Sequence, residues 1–325
     1  MIDRWKNNRG IALFIVLWVL MLLWVIVGEF SFTVRSQINI VGNFKDATKA
    51  RYYAVAGVNQ AVASIIAYNA SQSGKERDTL EREISAEIDQ ASEGGYSVKI
   101  LNENGKININ TANKRLLEVM LMAARVDETL ESVIVDSILD WRDENDLHRS
   151  NGAENDYYQG LENPYKCRNG DFRATNELLL VRGVTEAIYQ DLKDIITVYG
   201  GGDSGQSGGI IKGAGGQGDE NKININFVPR GLLSALPGMT KALADQILAY
   251  RERESFNSVA ELQNLIDDER MGRIAPYLTV SRSPFYFLEA VGFFKGSSTK
   301  SIIEALVEID ENLENGYRVV RWVER

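Results

Sequence analysis

Residues 11–27 read IALFIVLWVLMLLWVIV, without a charge or a strongly polar group. A spanning helix needs roughly 20 apolar residues, and this run reaches that length if Glu29 lies near the interface, with Phe30, Ser31 and Phe32 just beyond. A helix buried in a soluble protein ordinarily keeps a polar face, and this one has none. The run therefore predicts one membrane-spanning helix. Arg4, Lys6 and Arg9 precede it, opposed only by Asp3. Positive charge stays on the cytoplasmic side, so the N-terminus is expected inside and residues from about 35 onward outside.

The run is long for a removable secretory signal, and no small-x-small cleavage site follows it. The helix is also expected to continue. Phe44, Ala47, Ala54, Val58, Ala61, Ile65 and Tyr68 recur at steps of three and four, with Arg51 in the remaining slot, and no proline interrupts residues 11–70. That spacing predicts one apolar stripe on an amphipathic helix, giving a membrane part over 11–34 and an exterior part over 35–70. A short basic leader ending in Arg9-Gly10, then an apolar helix from Ile11, resembles the class III signal of type IV pilins and pseudopilins. The resemblance implies that a prepilin peptidase removes residues 1–10 by cutting between Gly10 and Ile11, leaving the helix in the mature chain.

The chain has 325 residues and a net charge of −9, which disfavours nucleic acid as a partner. Its lone cysteine, Cys167, has no partner for an internal disulfide, and its lone histidine, His148, leaves a zinc site or a His-dependent triad without ordinary ligands.

Beyond the spine, residues 71–95 are polar and read as a loop or short helix. Over 94–110, alternation at Tyr96, Val98 and Ile100 passes through Asn104-Gly105 and resumes at Ile107 and Ile109, which predicts a β-hairpin. Lys106-Ile107-Asn108-Ile109-Asn110 then recurs as Lys222-Ile223-Asn224-Ile225-Asn226. Leu116-Leu117 and Leu232-Leu233 keep the same offset of 116. This predicts two related helical units, over 111–199 and 222–281, each opened by a short strand. Residues 200–221 between them are rich in glycine and serine and read as a solvated linker. The string Gly205-Gln206-Ser207-Gly208-Gly209 matches G-x-S-x-G, but a glycine linker lacks the strand-to-helix turn that aims a nucleophilic serine.

In the second unit, Leu236-Pro237-Gly238-Met239-Thr240 followed by an amphipathic run resembles a helix-hairpin-helix, with Val181-Arg182-Gly183-Val184-Thr185 as its counterpart in the first. That motif often binds DNA, so a membrane-anchored DNA-binding protein is the rival reading. Against it, Thr240 replaces the second glycine, and residues 222–281 carry seven basic and seven acidic residues, whereas phosphate binding wants a basic excess. Phe285–Phe294, Ser301–Ile309 and Tyr317–Val323 read as strands, with the last turn at Glu314-Asn315-Gly316. They are expected to join the 94–110 hairpin in one small antiparallel sheet, packed on the spine.

One cluster carries chemistry. Asp140, Asp143, Glu144, Asp146, Glu154 and Asp156 place six carboxylates within 17 residues, beside Asn145, Asn151 and Asn155. Calcium takes six to eight oxygen ligands from such groups, while the same charges unpaired would repel one another. A solvated acidic loop is the alternative.

The R-G-apolar leader, the spine, I-N-I-N-T-A-N from Ile107, D-W-R-D-x-N-D from Asp140 with G-A-E-x-x-Y-Y from Gly152, and a late I-N-I-N with L-P-G-M-T together resemble the K-type minor pseudopilins of type II secretion systems. The resemblance implies an α+β fold: a spine helix, a pilin-like head whose sheet includes residues 282–325, and a large helical domain inserted into it. It implies a calcium site, with Asp140, Asp143, Asp146, Glu154 and Asp156 as ligands and Asn145 as a further candidate. It implies a non-enzymatic, single-pass subunit of a bacterial inner membrane with its globular part in the periplasm and a methylated mature N-terminus. Its partners would be the I-type and J-type minor pseudopilins, the prepilin peptidase and the inner-membrane secretion platform. Major subunits carry a glutamate at the fifth mature position, and here that position is Ile15. Its absence fits a place at the tip of the pseudopilus, where no subunit follows.

Overall fold

The computed structural model describes residues 9–70, 84–86, 94–200, 221–295 and 297–325. Helix α1 (Arg9–Ala70) runs unbroken for 62 residues, about 90 Å at the usual rise. Its two parts meet different surroundings. Leu13 to Val27 are exposed on every side, and among the described residues α1 is the one helix long and apolar enough to cross a membrane. Ala50, Ala54, Val58, Ala61, Val62 and Ile65 are buried. The predicted stripe is thus real but begins later. Phe44 is 75% exposed, because the sheet that covers the helix ends near Ala50.

That sheet contains β1 (Ile84–Ala86), β2 (Gly94–Asn102), β7 (Phe285–Phe294), β8 (Lys300–Ile309) and β9 (Tyr317–Glu324), in the order β1-β2-β7-β8-β9. Every pairing is antiparallel. Val98, Ala290 and Ile303 lie in one row across three strands and form one core with Ala54, Val58, Ala61 and Ile65 of α1. Helix and sheet touch backbone to backbone at Gly292, where a Cβ would lie 1.9 Å from the Ala50 carbonyl oxygen. At one edge of the sheet, Arg51 donates to both carboxylate oxygens of Glu324, at 2.7 and 2.8 Å.

Two sequence expectations are corrected here. Residues 84–86, expected in a loop or short helix, add edge strand β1. The hairpin over 94–110 does not form. A 3-10 turn (Glu103–Gly105) follows β2, and β3 (Ile107–Asn108) pairs in parallel with β4 (Ile196–Thr197) instead. A two-residue hairpin of type I′ needs positive φ at both central residues, and neither Asn104 nor Gly105 has it. Asn-Gly here hands the chain from the sheet to an inserted domain. The 201–220 part of the linker, with its serine string, and leader residues 1–8 lie outside the described residues.

The inserted domain leaves after β2 and returns at β7, which are neighbours in the sheet. Its neck is closed by Asn102, whose Nδ2 donates to the Ser283 carbonyl at 2.7 Å and whose Oδ1 accepts from the Ser283 N–H at 3.1 Å. Asn104 Nδ2 donates to the Ser281 carbonyl at 2.6 Å. Arg282 places its guanidinium over Tyr68 of α1 and over Phe227 of the inserted domain, 4.4 and 5.8 Å from the ring centroids.

Inside the domain the internal repeat is structural. The first unit runs β3, α2 (Lys114–Ala123), α3 (Glu128–Arg142), α4 (Asn155–Gln159), a 3-10 segment (Thr175–Leu180), α5 (Glu186–Leu192) and β4. The second runs β5 (Ile223–Asn224), α6 (Arg230–Ala235), α7 (Lys241–Arg251), a 3-10 segment (Val259–Asn264), α8 (Asp268–Ile274) and β6 (Leu278–Thr279), with β5 and β6 parallel. The buried polar contacts repeat too. Asn110 exchanges two hydrogen bonds with the backbone of Phe172, as Asn226 does with Phe256. Arg142 donates to the carbonyls of Ile109 and Ala112, and Arg251 to those of Ile225 and Val228. One hydrophobic core runs through both units.

The repeat corrects the hairpin assignment. Gly238 (φ +85°) precedes Thr240, which caps α7 by accepting from the Leu243 N–H. Gly183 (φ +88°) and Thr185 repeat this locally before α5. In chain order, however, the turn between α6 and α7 matches the one between α2 and α3, where Arg125 takes the positive φ of 56° and Asp127 caps. The local sequence resemblance matches a different turn of the same unit.

Candidate metal centre

The two units differ chiefly at one place. Between Arg251 and Phe256 the second unit has only residues 252–255, whereas between Arg142 and Phe172 the first unit carries residues 143–171. The acidic cluster falls in this longer connection and on the helix that leads into it.

Helix α3 positions its beginning. Asp136 and Asp140 lie one turn apart on the same face and both are buried. Asp136 is served by Lys114 at 3.3 Å and by Asn151. Asp143 is the C-cap of α3. The chain then turns back. Gly152 presses against Asp140 so closely that a Cβ would lie 1.8 Å from Asp140 Oδ2. This close approach brings Glu154, the N-cap of α4, to the end of α3. Asp140, Asp143 and Glu154 each place a carboxylate oxygen within 4.8 Å of the others. Below them Trp141 packs edge-on to Tyr158 at 5.1 Å and stacks on Phe172 at 6.3 Å, forming an apolar floor.

The three carboxylates are not equally compensated. Arg149 Nη1 bonds Asp140 Oδ1 and reaches Asp143 Oδ2 at 2.7 Å, while the Arg149 backbone N–H donates to Asp140 Oδ2 at 3.0 Å. Glu154 is 1% exposed, and neither of its carboxylate oxygens has a hydrogen-bond partner in good geometry. Burial pushes its carboxyl up to about 7; the charges of Asp140, Asp143 and Asp146 add to the effect, and the Cys167 thiol works against it. The same burial pushes Cys167 up to about 12. That thiol is a packed, unreactive group, and its backbone N–H is fixed by Asn155 Oδ1 at 2.9 Å.

The structure thus brings together three of the six proposed ligands. Asp146 stands at the rim, where Asn155 and Asn169 donate to its Oδ1 at 2.7 and 2.9 Å and hold its carboxyl below the usual range, Asn169 first. Asn145 is occupied in shaping the loop. It donates to Asp143 Oδ1 from its side chain at 2.6 Å and accepts from the Leu147 N–H at 2.8 Å. Asp156 does not join: it is exposed on α4 and accepts from the Tyr157 N–H at 2.8 Å. Arg149 was not singled out from sequence, and Gly152 entered only as the first residue of G-A-E-x-x-Y-Y. A base inside an acidic run reads as generic charge balance, and the close approach that requires Gly152 becomes visible only once the loop has closed.

A hard cation with oxygen ligands suits this donor set. The observation that tests the fit is the pair of buried oxygens on Glu154, which have no hydrogen-bond partner in good geometry and only the weakly donating Cys167 thiol nearby. An uncompensated buried carboxylate is costly. A cation there would remove the cost, and Asp140, Asp143 and Glu154 are the residues that would hold it.

Comparisons with known proteins place these features among relatives. Two family models, both described as type II secretion system (T2SS), protein K, match residues 96–201 and 223–281, together just over half of the chain. The chain is similar to the putative type II secretion system protein K of Escherichia coli K12, at 27% identity over 59% of this chain and 63% of that protein. It is similar to the type II secretion system protein K of Aeromonas hydrophila, at 24% identity over 58% of this chain and 62% of that protein. Both alignments thus span less than two thirds of the relative. The corresponding protein of Klebsiella pneumoniae is 25% identical over 86% of each chain. In fold, the chain resembles a chain from the crystal structure of the GspK-GspI-GspJ complex of enterotoxigenic E. coli, with a TM-score of 0.58 and 16% identity, covering 90% of this chain and 99% of that one.

Proposed function

The chain belongs to the type II secretion system protein K family, and from that premise we propose that it is a minor pseudopilin that starts or caps the pseudopilus during protein export. The observation that carries this reading is the division of α1. From Ala50 to Ile65 it is the packed spine of a five-stranded head, and from Leu13 to Val27 it presents apolar side chains all round. Such a helix is stable in lipid or against the helices of other subunits. Ile15, at the fifth position after the proposed Gly10–Ile11 cut, offers no carboxylate to a following subunit, and the bulk of the inserted domain also suits a terminal position. The partners on this reading are the I-type and J-type minor pseudopilins, the prepilin peptidase and the inner-membrane platform. The globular part lies in the periplasm.

Calcium belongs to the same reading. Asp140, Asp143 and Glu154 would hold the ion, with Asp146 at the rim. The ion would neutralise the cluster and fix the 143–171 connection on the first helical unit. Its role is structural.

Mass spectrometry of the mature N-terminus tests the pseudopilin reading. A chain beginning at methylated Ile11, and co-purification with I-type and J-type partners, are the expected results. An unprocessed chain that binds DNA in a salt-dependent way, with no such complex, would overturn it in favour of the DNA-binding rival.

A further inference from the structure

Arg149 engages two of the carboxylates that a metal ion would bind. Its guanidinium bonds Asp140 Oδ1 and Asp143 Oδ2, two of the three carboxylates that converge. A calcium ion sits about 2.3–2.6 Å from each oxygen it binds. A guanidinium nitrogen 2.7 Å from Asp143 Oδ2 and a divalent ion on that same oxygen would be crowded cations in a partly desolvated pocket, where repulsion is strong. Resting on the calcium reading above, we propose that Arg149 is a built-in counter-ion: it neutralises the cluster while no metal is bound, and it must leave when the metal enters.

Three observations support the exchange. First, the guanidinium serves Asp140 and Asp143 but leaves both Glu154 oxygens without a partner. An ion that engages all three carboxylates satisfies a group the arginine leaves unpaired, so the metal has an advantage. Second, the Arg149 side chain is 39% exposed, against 0% for Asp140, so it can swing into water without crossing the core. Third, its backbone is held independently. The Arg149 N–H stays on Asp140 Oδ2 at 3.0 Å, and its carbonyl accepts from the Gly152 N–H at 3.1 Å. Release is therefore a change of side-chain rotamer, with the loop left in place.

Competition of this kind lowers metal affinity by the fraction of molecules in which the arginine is already out, so a tenth out would weaken binding about tenfold. The probe is calcium ion alone, titrated calorimetrically into the full chain in detergent, with melting followed in calcium and in chelator. Arg149→Gln is expected to bind calcium about tenfold more tightly. In chelator it should melt below the wild type, because Asp140 and Asp143 then lack their cation. The gap between melting in calcium and in chelator widens. Arg149→Lys, which keeps the charge but lacks the fork, should fall between the two. If Arg149→Gln cannot be purified without metal, it is prepared in calcium and its rate of calcium loss to a fluorescent chelator is compared with the wild type; slower loss is expected. Calcium affinity that is equal or weaker in Arg149→Gln overturns the counter-ion role and leaves the calcium reading intact. Absence of binding in the wild type and both variants overturns both.

Discussion

The unpaired carboxyl of Glu154 makes stability depend on pH in a direction opposite to that of an ordinary salt-bridged acid. In the folded chain its carboxyl is pushed up from 4.5 to about 7, and in the unfolded chain it returns to the ordinary value. Below 4.5 both states hold the proton and burial is nearly free. Between 4.5 and about 7 the unfolded state ionises while the folded state stays protonated, so stability falls as pH rises. Above about 7 both are ionised and the full cost is present. At about 1.4 kcal/mol for each pH unit between the two values, that cost is about 3 kcal/mol. For a domain of this size it lowers the melting temperature by roughly 6–12 °C. Asp127, Asp146 and Glu324 are held below their ordinary values. They stabilise above the carboxylate range and lose that contribution only as pH falls through it, so they do not mask the slope. The assay is thermal melting in chelator from pH 5 to pH 8, read by fluorescence of buried Trp141. Glu154→Gln should flatten the curve and melt above the wild type at pH 8, and saturating calcium should remove the slope from the wild type. Glu131, also raised by burial, leaves a slope of the same sign, so a wild-type curve that is flat in chelator, or a Glu154→Gln curve as steep as the wild type's, would refute the argument.

The remaining predictions concern packing. Gly152→Ala drives a methyl into Asp140 Oδ2; it should cost about 1–3 kcal/mol in chemical denaturation and abolish any rise in melting temperature caused by calcium. Gly292→Ala pushes α1 off the sheet at Ala50 and should cost a similar 1–3 kcal/mol. Gly231→Ala, in open space on α6, should be neutral or gain about 0.5–1 kcal/mol; equal losses at the two sites would contradict the close-approach account. Arg142→Met strands the Ile109 and Ala112 carbonyls and Arg251→Met those of Ile225 and Val228. Each should cost about 2–4 kcal/mol, and hydrogen exchange should show the loosening centred on the mutated unit.

The spine helix, the repeat and the C-terminal strands were legible because their signals are local. A continuous apolar run, a repeated Lys-Ile-Asn-Ile-Asn and three alternating C-terminal segments each declare themselves within a few residues. What failed were inferences about distant partners. Ile107 and Asn108 have the composition of a hairpin strand, but their partners are Ile196 and Thr197, and nothing near Asn104-Gly105 encodes that choice. The acidic cluster was legible, but which of its carboxylates converge was not. Asp156 lies two residues beyond Glu154, but it faces solvent from the first turn of α4 while Glu154 is the N-cap of that helix and is buried. Phe44 continues the stripe in sequence, yet the sheet ends before reaching it.

The neck between Asn102 and Ser283 has a mechanical consequence. Because the inserted domain leaves and rejoins the head through adjacent points on paired strands, tension along α1 passes into the sheet without running through the domain. The helical units hang beside the load path as a pendant mass. Asn102, Asn104 and the Arg282 guanidinium between Tyr68 and Phe227 limit how far that mass swings. Pushing from below would carry the domain forward as a unit, with sideways contact at its surface felt as torque on the few hydrogen bonds of the neck.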